Sequence, residues 1–117
     1  MLIIRNEQME VLSEYMVEQF VNEAMLHLRT SFPEPIKHVP DADLRSMIYT
    51  GIKNAGEYNI TIEEDVLRYL EFMIIYGADF DINPDTPWAE EILNKEDARG
   101  TEKIQLIDKY IESNLKG

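Results

Sequence analysis

The sequence predicts an all-α protein: a single compact domain of four to five helices with a long N-terminal helix. Three observations carry this. Apolar residues recur at three- and four-residue steps through every long segment, as on a helix face turned to a core. No stretch alternates with period two for long enough to build a sheet. Helix starts and stops (Asp, Thr, Pro, Asn and Gly) fall between the periodic segments. With 117 residues, 44% of them apolar, residues 1–117 read as one helical domain of common size.

The first helix is expected from about Asn6 to Ser31. Asn6 suits the N-cap, and Glu7 and Glu10 suit the positive helix start. Met9, Leu12, Met16, Phe20, Ala24 and Leu28 form its core stripe, widened by Val17, Val21 and Met25. Pro33, Pro35 and Pro40 in SFPEPIKHVP end it, since none can continue a helix. A second helix starts with Asp41 or Asp43 as cap and runs through Leu44, Met47, Ile48 and Ile52 to about Tyr58. Asn59 is the candidate left-handed residue that closes it.

TIEE at 61–64 is a capping box, pairing Thr61 with Glu64. The third helix then carries Val66, Leu67, Leu70, Met73 and Ile74, with a Glu64–Arg68 pair on its outer face and Gly77 at its end. Thr86 caps a short fourth helix whose first residue is Pro87 and which ends near Asn94. The last helix, about Thr101 to Leu115, turns Ile104, Ile107, Ile111 and Leu115 inward.

Charge narrows the function. The chain carries 11 basic and 23 acidic side chains, a net of −12. Phosphates must be neutralised by Lys and Arg, so this sign argues against nucleic acid and against anionic membrane surfaces. There is no cysteine, which excludes disulfides and thiolate sites and is compatible with a reducing cytoplasm. MLIIR is too short for the apolar part of a signal peptide. The longest apolar run, Phe72 to Ala78, is far below the roughly 20 residues of a membrane span. A cytoplasmic location is expected. Residues 61–90 hold eight acids against Arg68 alone, a net of −7.

The stretch DFDINPDTPWAE at 79–90 has the spacing of an EF-hand loop, with Asp79, Asp81, Asn83 and Asp85 at positions one to seven and Glu90 at twelve. Position six, however, requires glycine at positive φ, and Pro84 stands there with φ locked near −65°. Thr86 replaces the usual apolar residue at position eight. The acids are read instead as turn formers and a helix start. A calcium site through residues 79–90 is the disfavoured alternative. His27, four residues after Glu23, is read as a surface pair on one helix, for want of a third ligand.

A helix-turn-helix over 43–73 would bring Glu63, Glu64 and Asp65 against phosphate. No serine sits in a nucleophile motif, and GIKNAG places its glycines inside a helix rather than a phosphate loop. No enzyme activity, metal or cofactor is expected. Trp88 is read as a lock for the short helix, or as an interface anchor if exposed.

RNEQM, HLRTSFP, GIKNAGEYNI, YGADFD and PWAEEIL occur in this order, and over about residues 4–115 the chain resembles small helical proteins of Gram-negative bacteria. Those proteins are often encoded beside type VI secretion genes and their PAAR-type or other effector genes. The resemblance implies a cytoplasmic accessory: an effector adaptor or chaperone, or an immunity protein. The expected partner is a protein, such as a secreted effector with a basic surface. Glu63, Glu64, Asp65, Glu71, Asp79, Asp81, Asp85 and Trp88 are the candidate contact residues. Charge reversal at Glu63, Asp65 and Glu71 is expected to slow association. The alternative is a self-associating structural domain, a homodimer through its first helix.

Overall fold

Five α-helices form where the apolar periodicity lies, in a computed structural model that describes residues 14–115. The first, α1 (Glu14–Ser31), buries Val17, Phe20, Val21, Ala24 and Leu28. The stripe centres on Val17 and Val21, which turns Met16 outward to 40% exposure, against the sequence expectation. Asn6, Met9 and Leu12, and so the length of the N-terminal helix before Glu14, lie outside the described residues.

Arg29 in the last turn of α1 organises the proline loop. Its guanidinium donates to the carbonyls of Ile36 and Val39, both at 2.5 Å, and to Asp41 at 2.8 Å. Helix α2 (Asp41–Glu57) therefore starts with Pro40 at the N-cap position. Asp41 and Asp43 fall in the first turn rather than capping it, where they still suit the positive end of the helix. At the other end Ile60 N–H donates to Ala55 O and Asn59 N–H to Gly56 O. Asn59 has φ 65°, so this is the Schellman closure that its amide side chain favours.

Helix α3 (Glu63–Tyr76) begins one residue later than the TIEE pattern predicts, with Ile62 at its N-cap and no side-chain cap. Ile60 is already held by the Schellman bond, and the backbone of Asn59 and Ile60 lies against Gly100. Glu63, Glu64 and Asp65 in the first turn supply the negative charge that the helix start favours. Gly51 lets α2 approach α3 closely: a Cβ there would stand 2.3 Å from Leu70 Cδ2. At the C-cap, Gly77 adopts φ 110°.

Helix α4 (Pro87–Leu93) has Pro87 at its first position as expected. Thr86 precedes it, but its hydroxyl donates to Phe80 O at 2.7 Å instead of capping the helix. Helix α5 (Gly100–Tyr110) packs on α3 and α4 and widens into a π-helical turn, Ile111–Leu115. Ile104, Ile107 and Ile111 are buried, whereas Leu115 is 46% exposed because that turn carries it past the core. Glu102 reaches back to accept the Arg99 backbone N–H at 3.1 Å.

One core joins all five helices, and Tyr69, Phe72 and Phe80 are its largest fully buried side chains. The radius of gyration, 13.9 Å, is close to the roughly 13 Å of a single compact domain of this length. Among the described residues there is no strand and no helix long and apolar enough to cross a membrane.

Candidate functional site

The acidic segment does not form one uniform face. After Gly77 the chain turns back along α3, and this brings Phe80 against Tyr69 and Phe72, with ring centroids 5.1 and 5.9 Å away. The next residue, Asp81, is buried and accepts a hydrogen bond from Tyr58 Oη at 2.7 Å. Burial raises the Tyr58 pKa above its ordinary value, and the Asp81 hydrogen bond and the charges of Asp81, Glu57 and Glu90 add to that. Of these three carboxylates only Asp81 bonds the phenol; the exposed Glu57 and Glu90 act on it through their charge. Glu57 lies outside the 61–90 segment and adjoins Tyr58 in the chain, at the last residue of α2.

Asp79 and Asp85 are exposed on the same loop. Asn83 Nδ2 donates to Asp79 at 3.3 Å, and the Asp85 backbone N–H donates to Asn83 Oδ1 at 2.8 Å. These are the bonds of a tight polar turn. Among the described residues, no three His, Asp or Glu side chains converge as metal ligands. Trp88 is half-buried: it stacks on Tyr110 at 4.9 Å and meets the Tyr76 ring edge-on at 5.4 Å.

The remaining acids face elsewhere. Glu63 is half-buried at the start of α3, and Glu64 is exposed. Asp65 is buried and accepts the Thr101 hydroxyl at 2.6 Å, tying the starts of α3 and α5 together. Glu71 accepts from His27 Nε2 and Arg68 Nη1, both at 2.7 Å. Arg68 also holds Asp108 through Nε and Nη2, at 3.0 and 2.6 Å, and lies over the Phe72 ring at 4.7 Å. Glu64 is therefore not the partner of Arg68, and Glu23 is not the partner of His27. Longer-range pairs that link α1, α3 and α5 displace both i,i+4 pairs. Two charge-assisted bonds from Arg68 to one Asp108 oxygen outweigh a single exposed pair along one helix.

Glu71 carries two of these contacts from a largely enclosed position. Glu71→Ala is expected to lower stability by about 1–2 kcal/mol, discounted for the exposure of its partners. The loss should be smaller at high salt. Urea unfolding at two ionic strengths checks both points.

Four tyrosines share a pH signature. Burial raises the pKa of Tyr58, Tyr69 and Tyr76 above the ordinary value of about 10, and the Glu18 hydrogen bond raises that of Tyr49. The folded state then binds more protons than the unfolded state above pH of about 10. Their contribution is complete below that pH and is lost as pH rises further. Depression of the Lys103 pKa by burial acts in the opposite sense but involves one group. Unfolding and tyrosinate absorbance should appear together in an alkaline titration; tyrosinate formed in the still-folded protein by Tyr58 or Tyr69 would count against this.

Three site features leave little trace in the sequence: the Tyr58 carboxylate group, the Phe80 anchor and the Glu71 bridge. Each depends on a partner more than twenty positions away or on a ring buried in a loop of acids. No family model, curated protein or solved structure matches this chain.

Proposed function

We propose that this chain is a non-enzymatic, protein-binding accessory that docks a basic partner on its acidic loop and the adjoining start of α4. The observation that carries this reading is the set of exposed carboxylates left after the internal pairs are made. Asp79, Asp85, Glu90 and Glu91 stand on or beside one anchored turn, with Glu64 exposed at the start of α3. Like-signed clusters speed association with an oppositely charged partner and disfavour wrong ones. The sequence resemblance suggests the setting: a cytoplasmic adaptor, chaperone or immunity protein of a type VI secretion or effector module.

The residues to reverse are Glu64, Asp79, Asp85 and Glu90. Asp65 and Glu71 hold helices together, so reversing them tests folding instead. In that setting, an effector-type protein encoded by a neighbouring gene should co-purify with the chain. A Lys series at the four surface positions should slow its association roughly tenfold or more at low salt, and much less at high salt. Unchanged rates across the series would remove the electrostatic reading.

A second reading has one observation in its favour. Tyr15 and Leu26 are 77% and 71% exposed, and they stand three turns apart on the same side of α1. These two exposed apolar side chains, at either end of a stretch that holds Glu18, Gln19, Asn22 and Glu23, would seat against a second copy of the helix. Sedimentation over a wide concentration range decides: a monomer throughout ends this reading.

A further inference from the structure

Between the end of α2 and the α4–α5 connection lies a cleft of about 540 Å³, lined by Glu57, Tyr58, Asn59, Leu93, Asn94, Lys95, Glu96 and Lys103. Lys103 is 4% exposed, which is unusual for a lysine. Its ammonium donates to Tyr58 O at 3.0 Å. Because α2 has no basic residue in its last turn, that bond also supplies a cation at the negative end of the helix. It accounts for one of three N–H donors. Among the described residues no carboxylate pairs with Lys103, although a buried charge ordinarily requires a counter-charge.

The lining charges select the anion. Lys95 and Lys103 balance Glu57 and Glu96, so the cleft has no surplus field to hold a multiply charged anion. A singly charged group can still use the local donors, with the Asn59 amide at the edge and the Asn94 amide, one N–H of which already donates to Glu90 O at 2.8 Å, beside it. We propose that this cleft binds a carboxylate of single charge on the Lys103 ammonium, supplied by a free organic acid or by the C-terminus of a peptide. The site is separate from the acidic docking surface, and charge reversal at Glu64, Asp79 and Asp85 should leave it intact; Glu90, whose charge acts on Tyr58, is left unchanged in that control.

The test is an NMR titration of the full chain with sodium acetate at constant ionic strength. Saturable shifts of the Lys103, Asn59 and Asn94 side chains are expected. The measured pKa of the Lys103 amine should rise by about one pH unit at tenfold Kd, because acetate favours the charged amine. Lys103→Arg should retain binding and Lys103→Met should lose it; the wild-type pKa rise decides even if the methionine variant does not fold. A tripeptide and its C-terminal amide separate the two sources. A peptide acid at least tenfold tighter than acetate, with the amide silent, assigns the site to chain termini, and equal affinities assign it to small acids. Non-saturating shifts, an unmoved pKa, or inorganic phosphate binding more tightly than acetate would each overturn the proposal.

Discussion

Gly100→Ala is expected to destabilise the protein by about 3 kcal/mol, although Ala is the better helix former by roughly 1 kcal/mol. A Cβ at position 100 would stand 2.1 Å from Asn59 O, 2.8 Å from Asn59 C and 2.9 Å from Ile60 Cα. All three are backbone atoms, fixed by the Schellman closure of α2, so the overlap cannot be relieved by rotating a side chain. Relief requires moving the start of α5, which also holds Thr101 against Asp65. Overpacking of this kind costs about 1–3 kcal/mol and sometimes more. Gly51→Ala is the internal control: its close neighbours, Leu70 Cδ2 at 2.3 Å and Met73 Sδ at 2.9 Å, are the ends of flexible side chains. A smaller loss of about 1–2 kcal/mol is expected there. In thermal unfolding, Gly100→Ala should lower the midpoint by about 10 °C or more, at roughly 4 °C per kcal/mol for a domain of this size. If Gly51→Ala proves the more damaging of the two, the seating of α5 on the Asn59–Ile60 backbone is wrong.

The contrast between these glycines reflects what the sequence can reveal. Helix identity depends on local periodicity, so Val17, Phe20, Leu44, Ile48, Leu70 and Ile107 could be assigned to the core from spacing alone. Asn59 and Gly77 could be recognised as helix ends because positive φ selects those residue types. Capping was less legible. Thr61 and Thr86 carry the right chemistry, yet the first is set back by the Ile60 closure, and the hydroxyl of the second goes to Phe80 O. Ion pairing was least legible. Glu64 and Glu23 stand at the correct helical spacing from Arg68 and His27, but Asp108 and Glu71 compete from other helices. The eight acids of 61–90 looked like a single feature. Folding divides them into Asp65 and Glu71, which join helices, Asp81, which accepts from Tyr58, and a remainder that includes the exposed Glu64, Asp79, Asp85 and Glu90.

Phe80→Ala is expected to cost about 3–5 kcal/mol, the range for truncating a fully buried phenylalanine, and more than Trp88→Ala. Sequence alone favoured Trp88 as the lock for the short helix that follows this loop. In the fold Trp88 is half-buried between Tyr76 and Tyr110. Phe80 is 0% exposed and sits among acids that would otherwise keep this loop in solvent. Its carbonyl accepts the buried Thr86 hydroxyl, and its neighbour Asp81 meets Tyr58, so loss of the ring releases both contacts. Truncating the half-buried Trp88 should cost about 2 kcal/mol, scaled from the area that it hides. Hydrogen exchange gives a local readout. The amides of Ile82 and Thr86, which donate to Asp79 O and Asn83 O, should lose protection in Phe80→Ala before the rest of the fold does. The substitution leaves every charge in place, so it separates the position of the carboxylates from their number. If the acidic turn is the docking surface, partner affinity should fall at least tenfold in Phe80→Ala while the salt dependence of the association rate persists. Full affinity with an unprotected loop would mean that the partner responds to net charge alone, and that the anchored turn plays no part in recognition.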